Sequence, residues 1–243
     1  MKKTGAFLLF CFLAIGVRAF TLPPGSQQLV LGIADDWQSS RITLQCFEKQ
    51  NDNRWLTVSG SIPARGGRDG LVWGRGLNPL TANSIVKKEG DWKTPCGVFA
   101  IGGAYGYAAS VRKHANLPYH QIVPGDLWVS DTSSPQYNQF VALGHPAVSA
   151  WEKHEQMRLN DPSHSLKLFI AHNATPGIVP GDGSAIFFHI WRANGEKPTA
   201  GCTAMAQDDL AKLIAWIDPA KKPLYVLLPK DVYLKVKAAW QLP

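Results

Sequence analysis

Short runs of alternating apolar and polar residues dominate the chain, and a sustained helical period is rare. Leu29 to Ile33, Arg41 to Phe47 and Arg54 to Ser61 are rich in β-forming residues and predict three short strands. Asp35-Asp36 and Asn51-Asp52-Asn53 punctuate them as turns, so this part reads as a β-meander leading into the core. Lys167 to His172 alternates and predicts another strand. Ser184 to Ile190 predicts a further one, with Ala185, Phe187 and His189 on one face, before Asn194-Gly195 and Pro198 turn the chain. The clearest helix is Asp208 to Ile217, where Leu210, Leu213, Ile214 and Ile217 recur at i, i+3, i+4 and i+7. Asp208 and Asp209 suit the first turn of that helix, Pro219 ends it, and Pro223 to Leu228 predicts a last strand. Trp151 to Leu159 fits one short helix. Residues 90–165 otherwise read as irregular loops dense in Gly, Pro, Tyr and Trp, carried on the sheet as the walls of a site often are. The pattern predicts a β-rich α+β fold with few short helices.

The first residues change the picture of where such a fold works. Lys2 and Lys3 precede an apolar run from Ala6 to Val17, and Val17-Arg18-Ala19 resembles a cleavage site, so residues 1–19 read as a secretory signal peptide. The run is shorter than the ~18 residues a membrane span needs. Cys11 lacks the preceding small residue of a lipidation site. Cleavage would lower the formal net charge from +7 to +4, and no basic cluster points to nucleic acid. The expectation is an exported protein with no membrane span once the peptide is removed. Residues 20–80 would be N-terminal strands packed on the core, 81–229 the main domain and 230–243 a C-terminal tail.

Chemistry concentrates between residues 183 and 202. A histidine, His189, precedes a cysteine, Cys202, which Gly201 presents on a tight loop. A cysteine beside a histidine makes a nucleophile when the base removes the thiol proton. Taken alone, each has a bland alternative: Cys202 as a small core hydrophobe, His189 as a hydrogen-bonded core residue. Zinc held by His172, His189 and Cys202 is a third option, but no Cys-x-x-Cys or His-Glu-x-x-His spacing supports it. The Arg65 to Gly70 run lacks the Lys-Ser ending of a phosphate-binding loop and reads as a surface turn.

His189 followed by Thr199-Ala200-Gly201-Cys202 resembles the His…(Ser/Thr)-His-Gly-Cys signature of the YkuD-type L,D-transpeptidases of bacterial cell walls. Lys88-Glu89-Gly90-Asp91-Trp92-Lys93-Thr94-Pro95-Cys96-Gly97-Val98-Phe99 is similar to a second motif of that family, upstream and in the right order. The resemblance implies a mixed β-sheet or sandwich. It also implies a thioester-forming acyl transfer on peptidoglycan stem peptides with no cofactor, a periplasmic address, and a thiol open to carbapenems. On this reading Cys202 is the nucleophile, His189 the base, and the backbone N–H groups of Gly201 and Cys202 the oxyanion donors. Arg192 and Thr199 are the polar groups expected to hold a substrate carboxylate or stem amide.

The departures are Ala200 in place of the family's histidine, Ala204 two residues after the cysteine, and Ile190-Trp191 after His189. They keep two alternatives open. One is an L,D-carboxypeptidase or hydrolase with the same site, and the other a catalytically silent cell-wall-binding protein. A papain-like protease fits poorly, because there the cysteine precedes its histidine. With Cys202 free for chemistry, the odd count of three cysteines beyond residue 19 makes a Cys46–Cys96 disulfide the economical pairing, with two buried free thiols as the alternative.

Overall fold

A computed structural model describes residues 20–243, so the expected signal peptide, with Cys11, lies outside the described residues. The strands are β1 (Gln28–Ala34), β2 (Arg41–Lys49), β3 (Trp55–Thr57), β4 (Ile62–Arg65), β5 (Leu71–Trp73), β6 (Thr94–Gly106), β7 (Tyr119–Gln121), β8 (Asp126–Trp128) and β9 (Phe140–Ala142). They continue as β10 (Leu166–Ile170), β11 (Phe187–Ile190), β12 (Thr203–Met205) and β13 (Leu224–Pro229). Among the described residues three α-helices join them: α1 (Ala150–Glu155), α2 (Gln207–Trp216) and α3 (Lys230–Trp240).

The main sheet runs β1-β13-β6-β10-β11-β12-β4-β2, and β2 pairs back onto β1, so these strands close on themselves. Closure removes the free edges that an open sheet would expose. β1–β13 and β11–β12 are parallel, and the other pairs around the ring are antiparallel. β3 attaches to β2, β5 and β7 attach to β6, and β8–β9 form a separate hairpin. The fold is therefore β-rich with few short helices, as the residue pattern predicts.

One core cluster packs Leu44, Phe99, Leu168, Phe188 and Tyr225 against Leu210, Leu213 and Ile214 of α2. A second lies on the opposite face of β1 and β13, where α3 covers Leu29, Leu31, Val226 and Leu228 with Val232, Tyr233, Val236 and Trp240. Residues 230–243, expected as a tail, are thus mostly a docked helix. Their apolar positions are spaced to share one helix face, and Asp231 suits its first turn.

Other elements differ from expectation. The segment read as irregular contains β6, the longest strand among the described residues, whose four glycines hide a buried run. Arg54 to Ser61 yields only β3, and β11 starts at Phe187 because Ala185 takes a positive φ of 55°. The Cys46–Cys96 pairing is corrected: both are buried free thiols. Cys46 is on β2 and Cys96 on β6, with β1 and β13 between them. Three steps of about 4.8 Å carry the two strands beyond the roughly 7 Å reach of a disulfide.

Candidate active site

β11 and β12 lie side by side in parallel, with His189 opposite Ala204, and Cys202 is the residue just before β12. This pairing brings together the histidine and cysteine that the sequence separates. The excursion between them is tied back to the ring: the Arg65 guanidinium donates to Gly195 O, and Thr199 N–H donates to Gly66 O at 2.9 Å. Gly201 has φ +149°, and a Cβ there would stand 3.0 Å from Lys93 O, so the tight approach to the Lys88–Phe99 segment requires glycine.

Cys202 as a whole residue is half-buried. Its thiol donates to Ala185 O at 3.3 Å, and Phe187 N–H approaches it at 3.4 Å. Burial raises its pKa above the usual 9.0, partly offset by the Phe187 N–H and by the cations Lys167, Lys87 and Arg192. β12 intervenes between Cys202 and α2, so the start of that helix is not at the thiol.

His189 is buried, and its Nδ1 lies 2.8 Å from Ile190 O. A carbonyl only accepts, so Nδ1 carries the proton and Nε2 is left as the acceptor. Burial lowers the His189 pKa to about 4, so the ring is neutral at pH 7. His164, which the sequence gave no reason to single out, stacks on it with ring centroids 5.1 Å apart. Burial and neighbouring positive charge lower His164 to about 3.

The expected substrate-binding side chains are placed as follows. Arg192 lines the cleft, but its Nε donates to Asp161 Oδ2 at 3.1 Å and its second guanidinium nitrogen pairs with the same oxygen. Thr199 is buried, and its hydroxyl accepts from Gly201 N–H at 3.0 Å and donates to Cys202 O at 2.7 Å. That hydroxyl shapes the cysteine loop, and it occupies the Gly201 N–H.

The upstream motif holds up the other wall. Asp91 accepts from the backbone N–H groups of Lys88 and Lys93 and pairs with the buried Lys87. Glu89 accepts from Tyr137 OH and from Ser184 Oγ at 2.8 Å, and the buried Asp182 pairs with Arg75 and Lys88. These contacts fix residues 182–184, just before the Ala185 carbonyl that the thiol meets. Asn138, buried and also missed by the sequence reading, completes the wall. Its Oδ1 accepts from Trp128 Nε1 at 2.8 Å and Ala185 N–H at 3.0 Å, and its amide donates to His172 O and Asn173 O.

Two cavities meet at Cys202, His189 and His164. One, of about 100 Å³, is lined by Arg192, Lys197, Thr199, Ala200 and Ala204. The other, of about 180 Å³, has aromatic walls that include Trp128 and Phe187. Among the described residues no group of three His, Cys, Asp or Glu side chains is gathered to hold a metal ion. His172, the third member of the zinc option, instead donates to Asp182 O and packs on Phe99.

The family model of the YkuD L,D-transpeptidase catalytic domain matches residues 41–226, most of the chain, and the protein belongs to that family. No curated protein and no solved structure matches it.

Proposed function

We propose that the protein is a cysteine-dependent acyltransferase acting on peptidoglycan stem peptides, an L,D-transpeptidase with Cys202 as nucleophile and His189 as base. The observation that carries this is the neutral His189 ring, whose Nε2 is left to accept a proton in the cleft that also holds the Cys202 thiol. Nε2 takes the thiol proton as sulfur attacks the carbonyl of an L–D peptide bond. The C–N bond breaks, the imidazolium returns the proton to the departing amine, and a thioester remains. The amine of a second stem, deprotonated by His189, attacks the thioester. The released thiolate recovers the proton. With the Gly201 N–H engaged by Thr199, the Cys202 N–H is the member of the expected pair left to meet the oxyanion. The stem peptide is the only partner the chemistry needs. An exported, periplasmic location belongs to the same proposal and rests on the character of residues 1–19.

The test is incubation of the protein and of Cys202→Ala with tetrapeptide muropeptides. Cross-linked dimers from the wild type alone support transfer, tripeptide alone points to the carboxypeptidase alternative, and no product from either protein favours the silent wall-binding alternative.

A further inference from the structure

The aromatic-walled cavity contains a buried cation whose charge favours the Cys202 thiolate but to which the acyl-transfer steps assign no ligand. Lys167 on β10 stands directly opposite His189 on β11, so its side chain shares the face of His189 and Phe187. It is 5% exposed, its Nζ lies 5.6 Å from the Phe187 ring centroid, and among the described residues it donates one hydrogen bond, to Met157 O at 3.3 Å. An ammonium has three protons to place, and a buried one without a counter-charge is costly. The two neighbouring carboxylates are otherwise engaged. Asp161 pairs with Arg192. Glu155 accepts from Ser130 N–H at 2.6 Å and Oγ–H at 2.8 Å through one oxygen and pairs with His154 through the other.

We propose that this cavity is a carboxylate-binding subsite, in which Lys167 holds the free C-terminal carboxylate of the residue that departs from the stem peptide. The assignment rests on the acyl-transfer reading of Cys202 and His189, which share the cavity with Lys167. A departing residue carries its carboxylate one carbon away from the nitrogen being released, so its charge lies within a few ångströms of the attacked carbonyl. A chain that continues beyond that residue presents a neutral amide there instead. Lys167 therefore makes the site read a chain end. Burial lowers its pKa to about 8, which leaves the amine mostly protonated at neutral pH. Arg192, the carboxylate partner expected from the sequence, is exposed and already bound to Asp161, whereas Lys167 is buried and has protons to donate.

The experiment compares one tetrapeptide stem with a free C-terminus against the same peptide as its C-terminal amide. Affinity is read by calorimetry on Cys202→Ala, with and without Lys167→Met, and kcat/KM is read with Cys202 intact. The acid is expected to bind about 10- to 100-fold more tightly than the amide, the range for a hydrogen bond to a charged group. Lys167→Met brings that ratio close to one, and kcat/KM follows it. Should the methionine variant not fold, Lys167→Gln is read in the same way. A ratio that survives the substitution, or an equal loss for acid and amide, overturns the subsite while the function reading stands. Discrimination through Lys167 without wild-type turnover supports the subsite and overturns the acyl-transfer reading. Binding of neither peptide overturns both.

Discussion

The Cys202 thiol and the His189 imidazole are both held neutral, the first raised and the second lowered by burial. On the proposed mechanism, a thiolate is therefore made during the reaction rather than stored at rest. Alkylation of folded protein by iodoacetamide should be slow at pH 7 and should accelerate through and beyond the usual thiol range. Rapid alkylation that is flat between pH 6 and 8 would show a standing thiolate and contradict this. Slow alkylation at neutral pH is thus what a competent site gives, and it does not by itself mark a silent one. Replacing His189 with Ala should slow acylation of Cys202 by about 10²- to 10⁴-fold, the usual contribution of a general base, as measured by the rate of mass gain with a carbapenem. Asn138→Ala should cost about 3 kcal/mol in denaturant unfolding, because it strands the buried donor of Trp128 and two buried carbonyls. Cys202 and His189 were legible because their motif is written along the chain. Lys167, His164 and Asn138 were not, since each matters only through neighbours that the topology brings beside it.

At the scale of elements, legibility followed periodicity. α2 announced itself through Leu210, Leu213, Ile214 and Ile217, and its bounds fall within a residue of the expected ones. β6 did not, because glycines at 97, 102, 103 and 106 read as loop while neighbouring groups fill the space they leave. Gly97 has φ +133°, and a Cβ there would lie 2.5 Å from Asn78 Oδ1, the acceptor of Val98 N–H. Gly97→Ala should therefore destabilise by about 2 kcal/mol or more, read as a lower denaturant midpoint, and unchanged stability would contradict this account of the strand. β12 escaped notice because three residues carry no readable period, yet it sets the distance between Cys202 and α2. α3 was hidden by its place at the chain end. Its Trp240 packs edge-on against Phe20 with ring centroids 4.9 Å apart, so Trp240→Ala should lower stability by about 1–2 kcal/mol in denaturant unfolding without altering the pH profile of turnover.

The whole molecule joins a closed sheet to a cleft built where two of its strands run parallel, and that placement makes it acid-sensitive. His164, His172 and His189 all have pKa values lowered, burial being the first cause, to about 3, 4 and 4. The unfolded chain binds protons at these groups near 6.5, before the folded chain does. Stability from this source is full above about pH 6.5 and is lost as the pH falls towards 4, by up to about 3 kcal/mol for each histidine. Thermal unfolding followed from pH 8 to pH 4 should show a midpoint that holds and then drops, and a midpoint that rises on acidification would contradict the neutral assignment. The sequence could supply the β-rich class and the order of the motifs. It could not supply the pairing of β1 with β13 or of β4 with β12, which close the ring between distant parts of the chain without local signal. The central claim, that Cys202 is the acyl-carrying nucleophile of this fold, is tested most directly by intact-mass spectrometry of the protein incubated with a carbapenem, beside Cys202→Ala. The account predicts one covalent adduct, mapped to Cys202 and missing from the variant, whereas an unmodified wild type or an adduct that survives the substitution would contradict it.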